Sequence, residues 1–260
     1  MAEDVELSIQ GDVAFVNLHR PEFGNALRGA MFDAIRKIAL RLSDQPPGFV
    51  IITGEGPDFC RGLMLSHKGT LHEMLTKMVA QRDAHRVQEL LARLRGAFDS
   101  LGRLPCPVIA AIEGRCHGAG LEVALVTDVR IASTEATFGM PEVRRGVLTG
   151  LGGLTRLNLL LGPARTNHLL LSGGLLRAEG AMAAGLVSQL CKPGTARATA
   201  LGYVADLRRA SSSARLQSVL ATRGIQNRLM REMFEQEDQA AARTWISGDW
   251  QDQSGGGTTP

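Results

Sequence analysis

The sequence has no uncharged apolar run that approaches the ~20 residues a membrane-spanning helix needs. Asp, Glu, Arg and His interrupt every candidate stretch, which argues against helical membrane insertion. Cysteine is sparse. Cys60, Cys106, Cys116 and Cys191 have neither the close paired spacing of a zinc site nor the pattern of a disulfide framework. The start of the chain carries no signal-peptide pattern, so the cytoplasm is the expected location. Charge of one sign is not in excess either. The net charge of +3 is spread along the 260 residues, so nucleic acid is not an expected partner, although a mild positive bias suits a polyanionic ligand. No low-complexity linker or strong exact repeat calls for a second independent domain. What the chain does have is a hydrophobic content of 44%, ample for one large buried core.

The apolar pattern predicts how that core is built. Val5, Leu7 and Ile9 alternate, Gly11-Asp12 punctuates, and Val13 to Leu18 is nearly all apolar, which predicts two strands joined by a tight turn. Leu27, Met31, Ile35, Ile38 and Leu42 then fall at helical spacing before Pro46-Pro47, and Phe49 to Thr53 supplies a buried strand, completing a β-β-α-β unit. A second helical pattern runs through Val87, Leu90, Leu91, Leu94, Phe98 and Leu101 and gives way to a strand at Val108 to Ile112, so the unit recurs less regularly. A short buried helix is predicted at Leu121 to Val126 and a strand at Val129 to Ala132. Helical patterns predominate from about Gly150. The expected organisation is a core over 1–193, a helical C-terminal region over 194–253, and a disordered tail over 254–260.

Three segments carry candidate chemistry. In DFCRG, Asp58 to Gly62, a glycine follows a buried strand and allows the Leu63 N–H to turn into a cleft; a plain strand-ending turn would read the same way. In AIEGRCHGAGLEVALVTDVRIAS, Ala111 to Ser133, glycines lead from a strand into a helix, placing the Ala119 and Gly120 amides where no intrahelical partner exists. Such amides can stabilise developing negative charge, and the Leu63 and Ala119 N–H groups together would form an oxyanion hole. The small residues there would equally permit close backbone packing. Glu122 lies within that apolar stretch, where a carboxylate is costly unless paired, solvated or functional. The third segment places Glu142 just after Pro141, with Arg144, Arg145 and Arg156 as alternative ion-pair partners.

Together these segments resemble the crotonase (enoyl-CoA hydratase/isomerase) superfamily through nearly the whole chain. HRPEFGNAL at His19 to Leu27, GLGGLTRL at Gly150 to Leu157 and A-x-x-A-x-x-x-G-L-V at Ala178 to Val187 are further matches. The resemblance implies an α/β fold of the crotonase type, a spiral of repeated β-β-α units with a helical C-terminal region used in trimerisation. It implies a homotrimer or dimer of trimers, and a substrate that is an acyl-CoA or acyl-carrier-protein thioester. Coenzyme A would be part of the substrate, with no separate cofactor and no metal. Leu63 and Ala119 map onto the two oxyanion amides, and Glu122 and Glu142 onto the two hydratase glutamates. Ala26, Gly62, Met64, Leu65, Ser66, Gly120 and Arg145 map onto the substrate groove.

The activity so implied is reversible hydration of a 2-enoyl-CoA, with Glu142 as principal acid/base and Glu122 as its partner. The alternatives are a double-bond isomerase needing one glutamate, an acyl-CoA decarboxylase, and a catalytically silent member that binds RNA. Arg61, Met64, Arg145 and Thr149 depart from the family pattern; Thr149 stands where proline is usual. These departures bear first on acyl specificity, and Arg145 is a candidate partner for a second substrate carboxylate.

Overall fold

The computed structural model describes residues 4–65 and 70–253. Strands β1 (Val5–Gln10) and β2 (Val13–Leu18) form the expected antiparallel hairpin. A tight 3-10 turn at Pro21–Phe23 leads to α1 (Gly29–Asp44), and β3 (Phe49–Gly54) returns parallel to β2. Helices α2 (Thr70–Ala80) and α3 (Ala84–Gly102) precede β4 (Val108–Ile112), which lies parallel to β3. The chain then runs through β5 (Arg115–His117), α4 (Ala119–Ala124), β6 (Val129–Ser133) and β7 (Thr137–Gly139). Beyond a second 3-10 turn, Pro141–Arg145, come α5 (Gly153–Ser172), β8 (Leu175–Arg177), α6 (Ala178–Ala183) and β9 (Gln189–Cys191). Helices α7 (Ala196–Leu207), α8 (Ser212–Ser247) and α9 (Asp249–Gln253) complete the described chain.

The large sheet has the order β1-β2-β3-β4-β6-β9, and β5-β7-β8 form a small second sheet. Alternation along β2 divides the core, as the two-residue period of a strand requires. Ala14, Val16 and Leu18 face the main cluster, with Met31 and Ile35 of α1 and Leu94 and Phe98 of α3; Phe32 of α1 stacks on Phe98 at 5.2 Å. Val13 and Phe15 face the other side, where Phe49, Ile51, Ile109 and Ile131 meet α7. Ala196, Ala200 and Val204 recur every four residues on α7 and form its buried face. Helix α7 thus covers the second face of the main sheet, whereas Ala241, Ala242 and Trp245 of α8 join the main cluster, where α8 packs against α3 and α5. Among the described residues, no helix is long and apolar enough to cross a membrane.

Several expectations change in detail. Leu27 lies outside α1 and instead bridges Leu63 in a parallel pairing. Helix α2 had no predicted counterpart, although Leu71, Leu75 and Val79 are buried with a four-residue period. The short strands β8 and β9 interrupt the region read as helical. Helix α5 is broken by Gly162 at φ 75, ψ 167, immediately before Pro163. The 254–260 tail and Ser66 lie outside the described residues.

Candidate active site

Three parallel segments converge, and their register explains which residues meet. Cys60 pairs with Cys116, and His117 pairs with Gly139. Counting three residues on from the first pair sets Leu63 beside Ala119; three on from Gly139 is Glu142. The candidate groups therefore leave the carboxyl ends of neighbouring parallel segments, the usual position of a ligand crevice in such sheets. Buried polar contacts hold the segments together. Cys60 N–H donates to the Arg115 carbonyl at 2.9 Å, and His117 N–H to the Cys60 carbonyl at 3.0 Å. Asp58 Oδ1 accepts from the Arg115 amide and from Arg115 Nε, each at 2.9 Å.

On the other flank, Leu27 N–H donates to the Gly62 carbonyl and Met64 N–H donates to the Leu27 carbonyl, both at 2.8 Å. In a parallel ladder this spends the peptide groups on either side of Leu63 and turns the Leu63 N–H the opposite way. Neither the Leu63 nor the Ala119 amide donates a hydrogen bond to any described residue. Gly62 adopts φ 109, and a Cβ built on it would lie 3.2 Å from the His117 carbonyl and 3.9 Å from the Ala119 amide nitrogen, so a side chain there would crowd the crossing. At Gly120 a Cβ would fall 2.3 Å from the Cys60 carbonyl oxygen. The glycines thus permit a close backbone approach that leaves two unbonded N–H groups side by side. Ala119 is only 3% exposed.

Glu122, in the first turn of α4, is 2% exposed. Its Oε1 accepts from Thr149 Oγ1, from the Leu151 amide at 2.8 Å and from the Gly153 amide at 2.9 Å. Glu142 comes from the 3-10 turn. Its Oε1 lies over Gly118, 2.5 Å from where a Cβ on that glycine would stand, and its Oε2 is buried without a hydrogen-bond partner. Desolvation first, and then repulsion from Glu237, pushes the Glu122 carboxyl up to about 7 despite its donors. Desolvation, followed by repulsion from Glu122, pushes Glu142 up to about 8, with Arg145 pulling slightly the other way. The pair favours a single shared proton, because two adjoining buried carboxylates cannot both ionise cheaply. Donors on Glu122 favour its anion, which leaves the proton to Glu142.

None of the arginines proposed as ion-pair partners neutralises Glu142. Arg144 Nε donates to the Ser172 carbonyl at 3.1 Å, Arg156 pairs with Asp99, and Arg145 is exposed with no ion pair among the described residues. Ala26 offers its carbonyl to Arg20 Nη1 at 2.8 Å, Met64 places its sulfur 3.8 Å from the same guanidinium, and Leu65 is half-buried on the main cluster. Ala26, Met64 and Leu65 therefore lie along the segments flanking Leu63.

Four supporting residues escaped the sequence expectations. Buried Asn25, at φ 55, accepts from the Arg20 amide at 2.8 Å and donates to the Glu55 and Asp58 carbonyls at 2.9 and 2.7 Å, pinning the turn after β2 to the turn after β3. Asp58 and Thr149 were visible only as motif members. Glu237, on α8, sits in a charged run with no sequence signal of burial, yet is 0% exposed.

A model of the "Enoyl-CoA hydratase/isomerase" family matches residues 8–247. "Probable enoyl-CoA hydratase echA8" of Mycobacterium tuberculosis is 35% identical over 179 residues, covering 68% of this chain and 65% of the relative. The chain thus aligns to just under two thirds of that relative's length. The 2,3-dehydroadipyl-CoA hydratase of Escherichia coli is 34% identical over 185 residues, covering 71% of this chain and 68% of the relative. Among solved structures, an enoyl-CoA hydratase from Mycobacterium avium superposes with a TM-score of 0.76 at 26% identity, over 95% of this chain and 99% of that one. These matches agree with the crotonase-type architecture. The chain belongs to the enoyl-CoA hydratase/isomerase family.

Proposed function

We propose that this chain binds an acyl-CoA thioester and catalyses the reversible hydration of a 2-enoyl-CoA. The observation that carries the reading is the juxtaposition of two unbonded amides, Leu63 and Ala119, with two buried carboxyl groups in different ionisation environments, Glu122 and Glu142. The thioester oxygen accepts from both amides. These bonds strengthen as the carbonyl takes on enolate character, so they favour the transition state over the ground state. Glu122, whose three donors make it the more readily ionised of the two carboxyls, takes a proton from water as the oxygen adds to C3. Glu142, carrying the pair's proton, delivers it to C2. Water supplies one oxygen and both hydrogens in the balance, and the pair is left with one proton that crosses between the carboxyls before the next turnover.

The name of the E. coli relative specifies a substrate with a second carboxylate. In this chain an exposed Arg145, three residues beyond Glu142, supports an acyl group of that kind as a candidate. The test is a hydration assay on crotonyl-CoA beside a short panel of carboxylated enoyl-CoAs. Conversion of any of them to the 3-hydroxyacyl thioester supports the reading. Double-bond migration without hydration would assign the one-base isomerase instead, and loss of carbon dioxide from a malonyl-type thioester would assign the decarboxylase.

A further inference from the structure

The three donors on Glu122 all fall on one oxygen, Oε1, and none of the described residues donates to Oε2. Two of the donors are backbone amides of the loop entering α5, and that loop is itself tied from the far side. Glu237 of α8 accepts from the Gly152 amide with Oε1 and from the Thr155 amide with Oε2, both at 2.9 Å. Amides of the same short segment thus alternate between two buried carboxylates, with Leu151 and Gly153 serving Glu122, and Gly152 and Thr155 serving Glu237. The remaining donor is the hydroxyl of Thr149, which is 1% exposed. The packing leaves little freedom. A Cβ on Gly153 would stand 2.6 Å from Thr149 Oγ1 and 3.0 Å from Glu122 Oε1. Arg156 fixes the loop further by donating to the Leu151 carbonyl at 3.1 Å.

From this arrangement, and resting on the hydratase reading of Glu122, we propose that Thr149 and Glu237 are positioning residues: they lock Oε1 of Glu122 as a hydrogen-bond acceptor and leave Oε2 to receive the proton of the attacking water. Thr149 acts directly through its hydroxyl, and Glu237 acts by holding the loop that presents the two amides. A carboxylate so held has one oxygen committed and one free, which fixes both its orientation and the direction of proton transfer. The charged groups acting on Glu122 come from three packed elements: Glu142 from the 3-10 turn, Arg156 from α5 and Glu237 from α8. On β5, Arg115 is committed to Asp58, and His117 meets Thr137 Oγ1 at 2.9 Å.

The two residues influence ionisation in opposite senses. The Thr149 hydroxyl favours the Glu122 anion, whereas the Glu237 charge opposes it. The experiment compares hydration of crotonyl-CoA over pH in the native protein and in Thr149→Ser, Thr149→Val, Glu237→Gln and Glu122→Gln, with ¹³C-NMR titration of labelled glutamate as a readout independent of turnover. For Thr149→Val we expect kcat to fall about tenfold or more, little change in KM, and the acid limb to move up by about one pH unit, the loss appropriate to a hydrogen bond on a charged group. Thr149→Ser should restore both. In Glu237→Gln the acid limb and the Glu122 resonance should move down instead. A Thr149→Val enzyme with native kcat and pH profile, a serine variant that fails to rescue, or shifts of the same sign in the valine and glutamine variants would overturn the proposal. If Glu122→Gln abolishes hydration while Thr149→Val leaves it native, only the positioning role falls. If Glu122→Gln retains native hydration, the hydratase reading of Glu122 falls with it.

Discussion

Replacing Glu142 by glutamine should make the protein more stable and nearly inactive, and the stability gain should depend on pH in a predictable sense. The native carboxyl is raised from 4.5 to about 8 by burial first and by Glu122 second, and one of its oxygens is buried without a partner. A carboxyl whose folded pKa is raised binds its proton more tightly in the native state than in the unfolded chain. Its contribution to stability is fully present below the unfolded value, near 4.5, and is lost as pH rises through about 8. At about 1.4 kcal/mol per pH unit the ceiling is on the order of 5 kcal/mol. Glu142 is partly exposed, which admits solvent screening, and Glu122 shares the proton, so about 1–3 kcal/mol is expected. For a chain of this size that corresponds to a Tm increase of roughly 2–10 °C above pH 8, shrinking toward zero below pH 4.5. Differential scanning calorimetry across that range is the assay, with kcat measured on the same preparations and expected to fall about 10²–10⁴-fold. A Tm difference that is flat with pH, or largest in acid, would refute the burial argument.

The Ala119 amide can be deleted with little damage to the helix, because proline is tolerated at the first helical position and Gly118 precedes it at φ 51, ψ −126. Ala119→Pro should fold normally by circular dichroism and lose about 10²–10³-fold in kcat, and native turnover would remove this amide from the oxyanion hole. If Arg145 recognises a second substrate carboxylate, Arg145→Leu should cost a carboxylated enoyl-CoA about ten- to a hundredfold in kcat/KM and leave crotonyl-CoA unaffected; equal effects on both would end that idea. The exposed apolar side chains Leu220, Ile225 and Leu229 on α8 favour assembly, and we expect light scattering to give a trimer or a multiple of it. A monomer at working concentration would contradict the expectation.

The hairpin, the parallel strands and the two long helices were legible because their apolar periods are strong. Helix α2 has the same kind of period at Leu71, Leu75 and Val79, but over 11 residues against the 16 of α1 and 19 of α3, so its apolar stripe is a weaker signal. Leu27 fitted the spacing of α1 and was instead taken by the bridge to Leu63, a tertiary pairing that local pattern cannot display. Glu122 was conspicuous as a charge among apolar residues. Glu237 was not, because its neighbours on α8 are themselves charged and its burial arises from contact with a loop more than 80 positions earlier. Leu229 and Met230 show the same limit: adjacent apolar residues on a long helix differ by 100° in direction, and the packing of α8 selects the second.

In the proposed reaction, water adds across the double bond of an enoyl thioester under the action of Glu122 and Glu142. Incubation of crotonyl-CoA with the protein in H₂¹⁸O, and separately in D₂O, with mass-spectrometric analysis of the thioester, tests it directly. One solvent oxygen should appear at C3 and one solvent-derived deuterium at C2, with both incorporations lost at least about a hundredfold in Glu122→Gln and in Glu142→Gln. Deuterium at carbon without oxygen incorporation, or incorporation that survives either substitution, would contradict it.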